Sequence, residues 1–410
     1  MLLNYSKKLV LILFGLFLSF LFLEVLIRLS LNFFPNEYLP TYGIYQKSFP
    51  VIGHKNIPNS SGIWNREGFS KVKINSKGWN DYERTYKKND NTIRVAIVGD
   101  SFIEALQVDK SVAIGSIMES WLIDNCSVIS DDHTFEVLSF GASGWGTSQM
   151  YLTIMNEIIL YEPDYVVLAF FPGNDLKNNI YDLELNPYKP YFELKNEELV
   201  LIRLPEIDND IKKQIYRFFR DNLMIVQFIR EPLVKLFASN ESMIQNTYSD
   251  EKSISDYDKK TELIYGATWG NNLDSIFVIK AWELFESILL KTSKDLNNHN
   301  SQLLTLIVSR GEIVDYEKDY VLDGPDYSLR ENNKRSNIFY PEDRLENFGK
   351  DNNIPIISIS RYMSNYNWSK KIGVTKFHGF GDNLGAGHWN ENGHKFAGEI
   401  VGQKICEIYN

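Results

Sequence analysis

Cysteine is nearly absent. Only Cys126 and Cys406 occur among 410 residues, and two thiols so far apart cannot form a metal ligand set by themselves. One disulfide outside the cytosol and two separate structural thiols are both compatible with them. Histidine is sparse as well, with six residues. No His-x-x-x-His pair or carboxylate cluster offers ligand spacing, which argues against a metalloenzyme and leaves no cofactor implied. A basic patch is also missing. The 43 Lys and Arg are outnumbered by 53 Asp and Glu, for a formal charge of −10, and they are scattered among the acids. A phosphate-binding face needs clustered cations, so nucleic acid is excluded as a partner. No internal repeat is present, and nothing reads out an oligomeric state. Apolar residues, in contrast, make up 44% of the chain, enough for a full core. The many Tyr and Phe suit carbohydrate contact, but core filling is their commoner use. The length fits two or three domain-sized pieces or one enlarged α/β domain.

The longest hydrophobic run stands at the N-terminus. After Lys7-Lys8 it is unbroken from Leu9 to Leu23, then continues through Glu24 and Arg28 to Phe34 before Pro35. A helix over Leu9–Phe34 would measure about 39 Å, enough to cross a bilayer with tilt. Glu24 and Arg28, four apart, share a helical face and can pair near the interface. A cleaved signal peptide is the alternative, but no small-x-small site follows the run. With the lysines ahead of the span, a single-pass signal anchor is expected. Its N-terminus would stay cytoplasmic and the remainder would be extracytoplasmic, on the periplasmic or cell-surface side.

This divides the chain into a cytoplasmic stub and anchor (1–35), a stalk and irregular lead-in (36–91), and a main domain (92–410). Within the domain, short apolar runs alternate with helix-like stretches. Arg94–Val98, Phe135–Phe140, Tyr165–Phe171, Gln302–Val308 and Ile356–Ile359 predict five strands of a parallel sheet covered on both faces. Between the third and fourth lies an insertion at about 176–269. It holds a predicted hairpin from Lys189, an amphipathic stretch from Ile211 to Leu236, and a polar, mobile stretch from Ser239 to Lys260. Such an insertion usually forms a lid or substrate wall.

Ligands bind beyond the carboxyl ends of parallel strands, so the residues following each strand are the informative ones. Gly99-Asp100-Ser101 follows the first, Gly141-Ala142-Ser143-Gly144-Trp145-Gly146 the second, and Gly173-Asn174-Asp175 the third. His388-Trp-Asn-Glu-Asn-Gly-His394 leads into the last helix. Each has a structural rival. Ser101 could cap a helix, Asn174 could be a turn residue, and Gly144 a loop glycine. Ser143 is no rival nucleophile, because Trp145 breaks the Gly-x-Ser-x-Gly elbow. His394 falls within the predicted last helix and reads as structural. His54, His133, His299 and His378 lack a supporting motif and read as surface or packing residues.

These four blocks, in this order, resemble the SGNH (GDSL-type) hydrolases, from about Ile93 to the C-terminus apart from the insertion. The resemblance implies a three-layer α/β/α fold with a five-stranded, flavodoxin-like parallel sheet. It also implies Ser101 as nucleophile and His388 as its base, with the Ser101 and Gly144 N–H groups and the Asn174 amide as oxyanion donors. Serine needs such a base, and the oxyanion such donors. One departure stands out. The family's Asp shortly before the histidine is replaced here by Gly385 and Ala386. Asp382 is the nearest preceding acid. A backbone carbonyl or a carboxylate from elsewhere in the chain could take its place.

The function implied is ester hydrolysis through an acyl-enzyme, on O-acyl groups of cell-envelope glycans or lipids. An O-acyltransferase acting on a surface polysaccharide is the first alternative. A catalytically silent envelope-binding protein on the same fold, resting on the missing Asp, is the second.

Overall fold

The computed structural model describes the chain except for Met1, Asn32 and residues 34–38, 127–133, 208–209, 230–250, 319–320, 322–329, 332–333, 336 and 371–372. The N-terminal helix α1 (Leu2–Ser30) is, over Lys7–Ser30, long and apolar enough to cross a membrane. Its side chains from Leu9 to Leu23 are largely exposed, as expected where no protein packs around them.

Two short hairpins follow. β1 (Gln46–Phe49) pairs with β2 (Gly53–Asn56), and β3 (Ser61–Trp64) with β4 (Ser70–Lys73). From Leu39 on, they replace the stalk expected, with an irregular lead-in, over 36–91. Ile44, Ile52, Ile63, Val72, Ile74 and Trp79 are buried, and Trp79 packs edge-on against Phe140 and Trp145 of the domain. Strands of four residues are too short for alternation to show in sequence.

The central sheet consists of β5 (Thr92–Gly99), β6 (Thr134–Gly141), β7 (Tyr165–Phe170), β10 (Gln302–Ile307) and β11 (Ile356–Ser358). The interval between β7 and β10 holds the hairpin β8 (Tyr191–Lys195) and β9 (Glu198–Arg203). All pairings in the sheet are parallel, and the order is β11-β10-β7-β5-β6. Counted along the chain this is 2-1-3-4-5, the flavodoxin-like order. Val95 and Ile97 face one side, packing with α3 (Ile114–Asn125) and α10 (Glu391–Tyr409). Ala96 and Val98 face the other, with α4 (Thr147–Asn156) and α7 (Ile276–Asn297). Burial on both faces explains why the strands read as continuous apolar runs. Register places Gly99 opposite Gly141, Val98 opposite Leu168 and Phe170 opposite Ile307. The strands therefore end in step, and the loops after them share one edge.

Cys126, at the end of α3, and Cys406, in α10, form a disulfide with Cα atoms 5.6 Å apart. In the insertion, the expected hairpin is β8–β9. The expected amphipathic stretch from Ile211 to Leu236 is interrupted at Leu223 within its described part, 211–229. α5 (Ile211–Asn222) stops at Leu223, and a further helical piece covers 224–229. Most of the polar stretch from Ser239 lies outside the described residues; from Glu251 it is helical, in α6 (Glu251–Ala267).

Candidate active site

The turn after β5 is built around Asp100. Its carboxylate accepts from the Phe102 N–H at 3.0 Å and caps the single-turn helix α2 (Ser101–Glu104). Ser101 is therefore the first helical residue and not the cap, which leaves its hydroxyl available. That hydroxyl lies 2.7 Å from His388 Nε2, so the structure brings the two predicted residues together. The third member is not Asp382. That residue is exposed in the turn Gly381–Asn383, whereas Glu67 Oε2 lies 2.5 Å from His388 Nδ1 and Glu67 Oε1 accepts the His388 N–H at 2.7 Å.

Glu67 sits in the turn between β3 and β4, in the segment expected to be a stalk. The hairpin is tied to the chain just after α2: Ser70 Oγ donates to the Leu106 carbonyl at 2.5 Å. Gly68, at φ +68°, lies so close to the Gln107 carbonyl that a Cβ would be 2.3 Å from it. Across the site, a Cβ at Gly387 would come within 2.2 Å of Glu67 Oε1. The missing side chain at 387 is thus what lets the carboxylate reach both groups of His388. Glu67 stands 321 residues from His388. No spacing rule could have found it, and Gly387 was the only faint signal.

The electrostatics suit a base. Burial pushes the His388 imidazole down, but the hydrogen bond and charge of Glu67, with Asp100 and Glu104 adding, leave it raised above the ordinary histidine value. Burial likewise pushes Glu67 up, and the His388 contacts outweigh it, holding this carboxyl below its usual range. Beneath the turn, burial raises both Asp100 and Asp175. Asp175 is raised further by the charge of Asp100, so Asp175 holds a proton more readily than a free carboxyl does.

Gly144 has φ +79°, and nothing lies within 4 Å of where its Cβ would be, so this loop is open on that side. Ser143, beside it, is held from below. Its N–H donates to Glu104 Oε2 at 2.9 Å and its hydroxyl donates to the same oxygen. Its carbonyl is 2.9 Å from His54 Nε2. Glu104 also accepts from Asn56 Nδ2 at 2.7 Å, and burial raises its pKa. Burial also pushes the His54 ring down to about 4, so it is neutral at pH 7. Glu104 and His54 are supports that the sequence did not reveal. Asn174 Nδ2 is 3.4 Å from Asp100 Oδ2, and Asn174 Oδ1 is buried with no partner among the described residues.

The remaining histidines fall into place. His394 is buried within α10, its ring pushed down to about 3 by burial, with the charges of His388 and His378 adding. His133 lies outside the described residues. His378 is fully buried, with Nδ1 3.0 Å from Asp315 Oδ2 and Nε2 3.1 Å from Ser309 Oγ.

Fold and site together define the class: an α/β/α domain that brings the four sequence blocks to one sheet edge, with a serine, a histidine and a carboxylate in line. No known family profile matches the chain, and no curated protein matches it. Solved structures with a similar arrangement include an acetyl xylan esterase, 15% identical, covering 76% of this chain and 100% of its own, with a TM-score of 0.35. A lipolytic protein of the G-D-S-L family from Desulfitobacterium hafniense is 8% identical, covering 76% and 98%, with a TM-score of 0.33. A variant acetyl xylan esterase from Geobacillus stearothermophilus is 10% identical, covering 76% and 94%, with a TM-score of 0.38. At these identities and scores, the likeness adds nothing to the geometry above.

Proposed function

We propose that this chain is a membrane-anchored serine esterase that cleaves an extracytoplasmic ester through an acyl-enzyme. The observation that carries the reading is the continuous relay Ser101 Oγ–His388 Nε2 and His388 Nδ1–Glu67, at 2.7 and 2.5 Å. In this mechanism His388 takes the Ser101 proton as Oγ attacks the ester carbonyl, while Glu67 holds the ring tautomer and stabilises the imidazolium. The N–H groups of Ser101 and Gly144 and the amide of Asn174 receive the oxyanion. His388 returns the proton to the leaving alcohol. Water, activated by the same ring, then releases the acid and frees Ser101.

Two features support the extracytoplasmic setting. The apolar helix follows Lys7-Lys8, which favours a cytoplasmic N-terminus. The disulfide Cys126–Cys406 suits an oxidising compartment. O-acyl groups on envelope glycans or lipids are the substrates such a placement meets, with a surface-polysaccharide acyltransferase as the variant in which a sugar hydroxyl replaces water. The silent-binding alternative rested on the missing carboxylate, and Glu67 removes that support.

A fluorophosphonate probe is expected to label the wild-type protein at Ser101 and to leave Ser101→Ala unlabelled. Absence of labelling in the folded wild type would overturn the esterase reading. With an acyl donor and no acceptor, free acid marks a hydrolase. Release only when a glycan hydroxyl is added marks a transferase.

A further inference from the structure

The insertion grips the N-terminal helix at one point. Glu24 and Arg28 pair, with Arg28 Nε 2.8 Å from Glu24 Oε1, and together they hold the break between two helices of the insertion. Arg28 donates to the Asn222 carbonyl at the end of α5, at 2.7 Å. The Glu24 carboxylate accepts from the N–H groups of Met224 and Ile225, at 2.9 and 3.0 Å, where the next helical piece begins. A cation thus meets a helix C-terminus and an anion a helix N-terminus, the favourable sense for both dipoles.

This grip fixes the height of α5 relative to any bilayer that α1 crosses. From Lys8 to Arg28 the helix rises about 30 Å, the thickness of a hydrocarbon core, about 30 Å. Arg28 therefore marks the far boundary of the core, and the end of α5 is bonded to it. α5 is also built for that boundary. Ile211, Ile215, Phe218 and Phe219 fall within an arc of about 100°. They are 69%, 53%, 63% and 47% exposed, and no residue of α5 is buried. Lys213, Arg217 and Arg220 occupy the opposite side, where Arg220 is turned to the protein, paired with Asp221 at 2.6 Å and 4.3 Å from the Tyr45 ring, so the helix is apolar on one face and polar on the other. Leu204 and Ile207, in the connection leading into α5, are exposed as well.

We propose that α5 lies in the plane of the phospholipid surface beside α1, its apolar face among the upper acyl chains, so that the domain is held against the bilayer at two points. This rests on the reading that α1 spans a membrane. The occupant of its apolar face is the lipid surface, because the end of α5 is hydrogen-bonded to Arg28, at the end of the helix that would cross the bilayer.

The test uses the full chain in vesicles of phosphatidylethanolamine and phosphatidylglycerol, with the native disulfide kept oxidised. An environment-sensitive NBD label is placed, one at a time, through Phe218→Cys, Ile215→Cys, Lys213→Cys and, as a control inside the anchor, Phe14→Cys. A surface helix buries its apolar face about 5–10 Å deep, so lipids carrying shallow doxyl groups should quench labels at 215 and 218 about twofold or more beyond the label at 213. If 215, 218 and 213 all escape quenching while 14 is quenched, the surface placement is overturned and the anchor stands. If 14 also escapes, both fall. A blue shift at 218 that disappears on dilution, without doxyl quenching, assigns the face to a second copy of the chain and overturns the proposal.

Discussion

Two serine–histidine–carboxylate sets lie in this domain, and they are built alike. In each, one carboxylate takes both the backbone N–H and the ring Nδ1 of its histidine: Glu67 for His388, at 2.7 and 2.5 Å, and Asp315 for His378, at 2.8 and 3.0 Å. In each, Nε2 faces a serine hydroxyl, at 2.7 Å for Ser101 and 3.1 Å for Ser309. Their surroundings separate them. The His388 and Glu67 side chains are 27% and 23% exposed, and Ser101 stands at the sheet edge with Gly144 and Asn174 on neighbouring loops. Ser309, His378 and Asp315 have no exposure at all. The Ser309 hydroxyl already accepts from Trp389 Nε1 at 2.8 Å and lies 3.2 Å from Met363 Sδ, so no ester carbonyl can approach it. A triad by distance is thus necessary for the chemistry but not sufficient. Access and oxyanion donors decide.

The inner set also serves the outer one. His378 and Trp389 form a β-bridge, and Gly379 N–H donates to the His388 carbonyl at 2.9 Å. Fixing His378 therefore fixes the loop that presents His388.

The largest effect that would sharpen the contrast is loss of the outer serine. Ser101→Ala should lower turnover of a short aryl acetate by on the order of 10⁴-fold or more. An unchanged rate would remove the outer set from catalysis. Next comes the carboxylate. Glu67→Gln should cost about 10²–10⁴-fold in kcat and move the acid limb of kcat/KM to lower pH. The sign follows from the ring: only neutral His388 accepts a proton, and the Glu67 charge raises its pKa. In the wild type, activity should therefore fall as pH drops through a value above about 6.5, and removing the charge lowers that value. A limb that stays in place would show that Glu67 does not act on His388.

The inner set should respond in stability instead. Ser309→Ala leaves the Trp389 indole N–H buried without its acceptor, a cost of about 1–3 kcal/mol, read by denaturant unfolding. Its kcat/KM should stay within a few-fold of wild type, and a loss as deep as that of Ser101→Ala would break the comparison. Smallest of all, Asp382→Ala should leave both stability and kcat/KM almost unchanged, as an exposed surface substitution does, within about 0.5 kcal/mol.

The disulfide marks a similar limit of sequence reading. Cys126 and Cys406 are 280 residues apart, and nothing local distinguishes a pair from two single thiols. Their pairing follows from α3 and α10 lying side by side. The lead-in segment was read as a stalk because its strands are too short for a period to register. The hairpin β8–β9, whose strands are longer, was legible.

What the sequence determined by itself was local. Five apolar runs bounded by small residues define a parallel sheet, because strand and turn are encoded within a few residues of one another, and the short blocks after the first three carry the resemblance that pointed to Ser101, Gly144 and Asn174. The long apolar N-terminal helix was legible for the same reason, from an uninterrupted apolar run. Tertiary structure alone decided which carboxylate orients His388. Contact between Glu67 and the loop at Gly387 depends on a hairpin folding over the sheet edge and on a missing side chain that leaves room. Neither leaves a periodic trace in the chain. It likewise decided that the inner Ser–His–Asp set is sealed, since burial belongs to the packed whole and not to any segment.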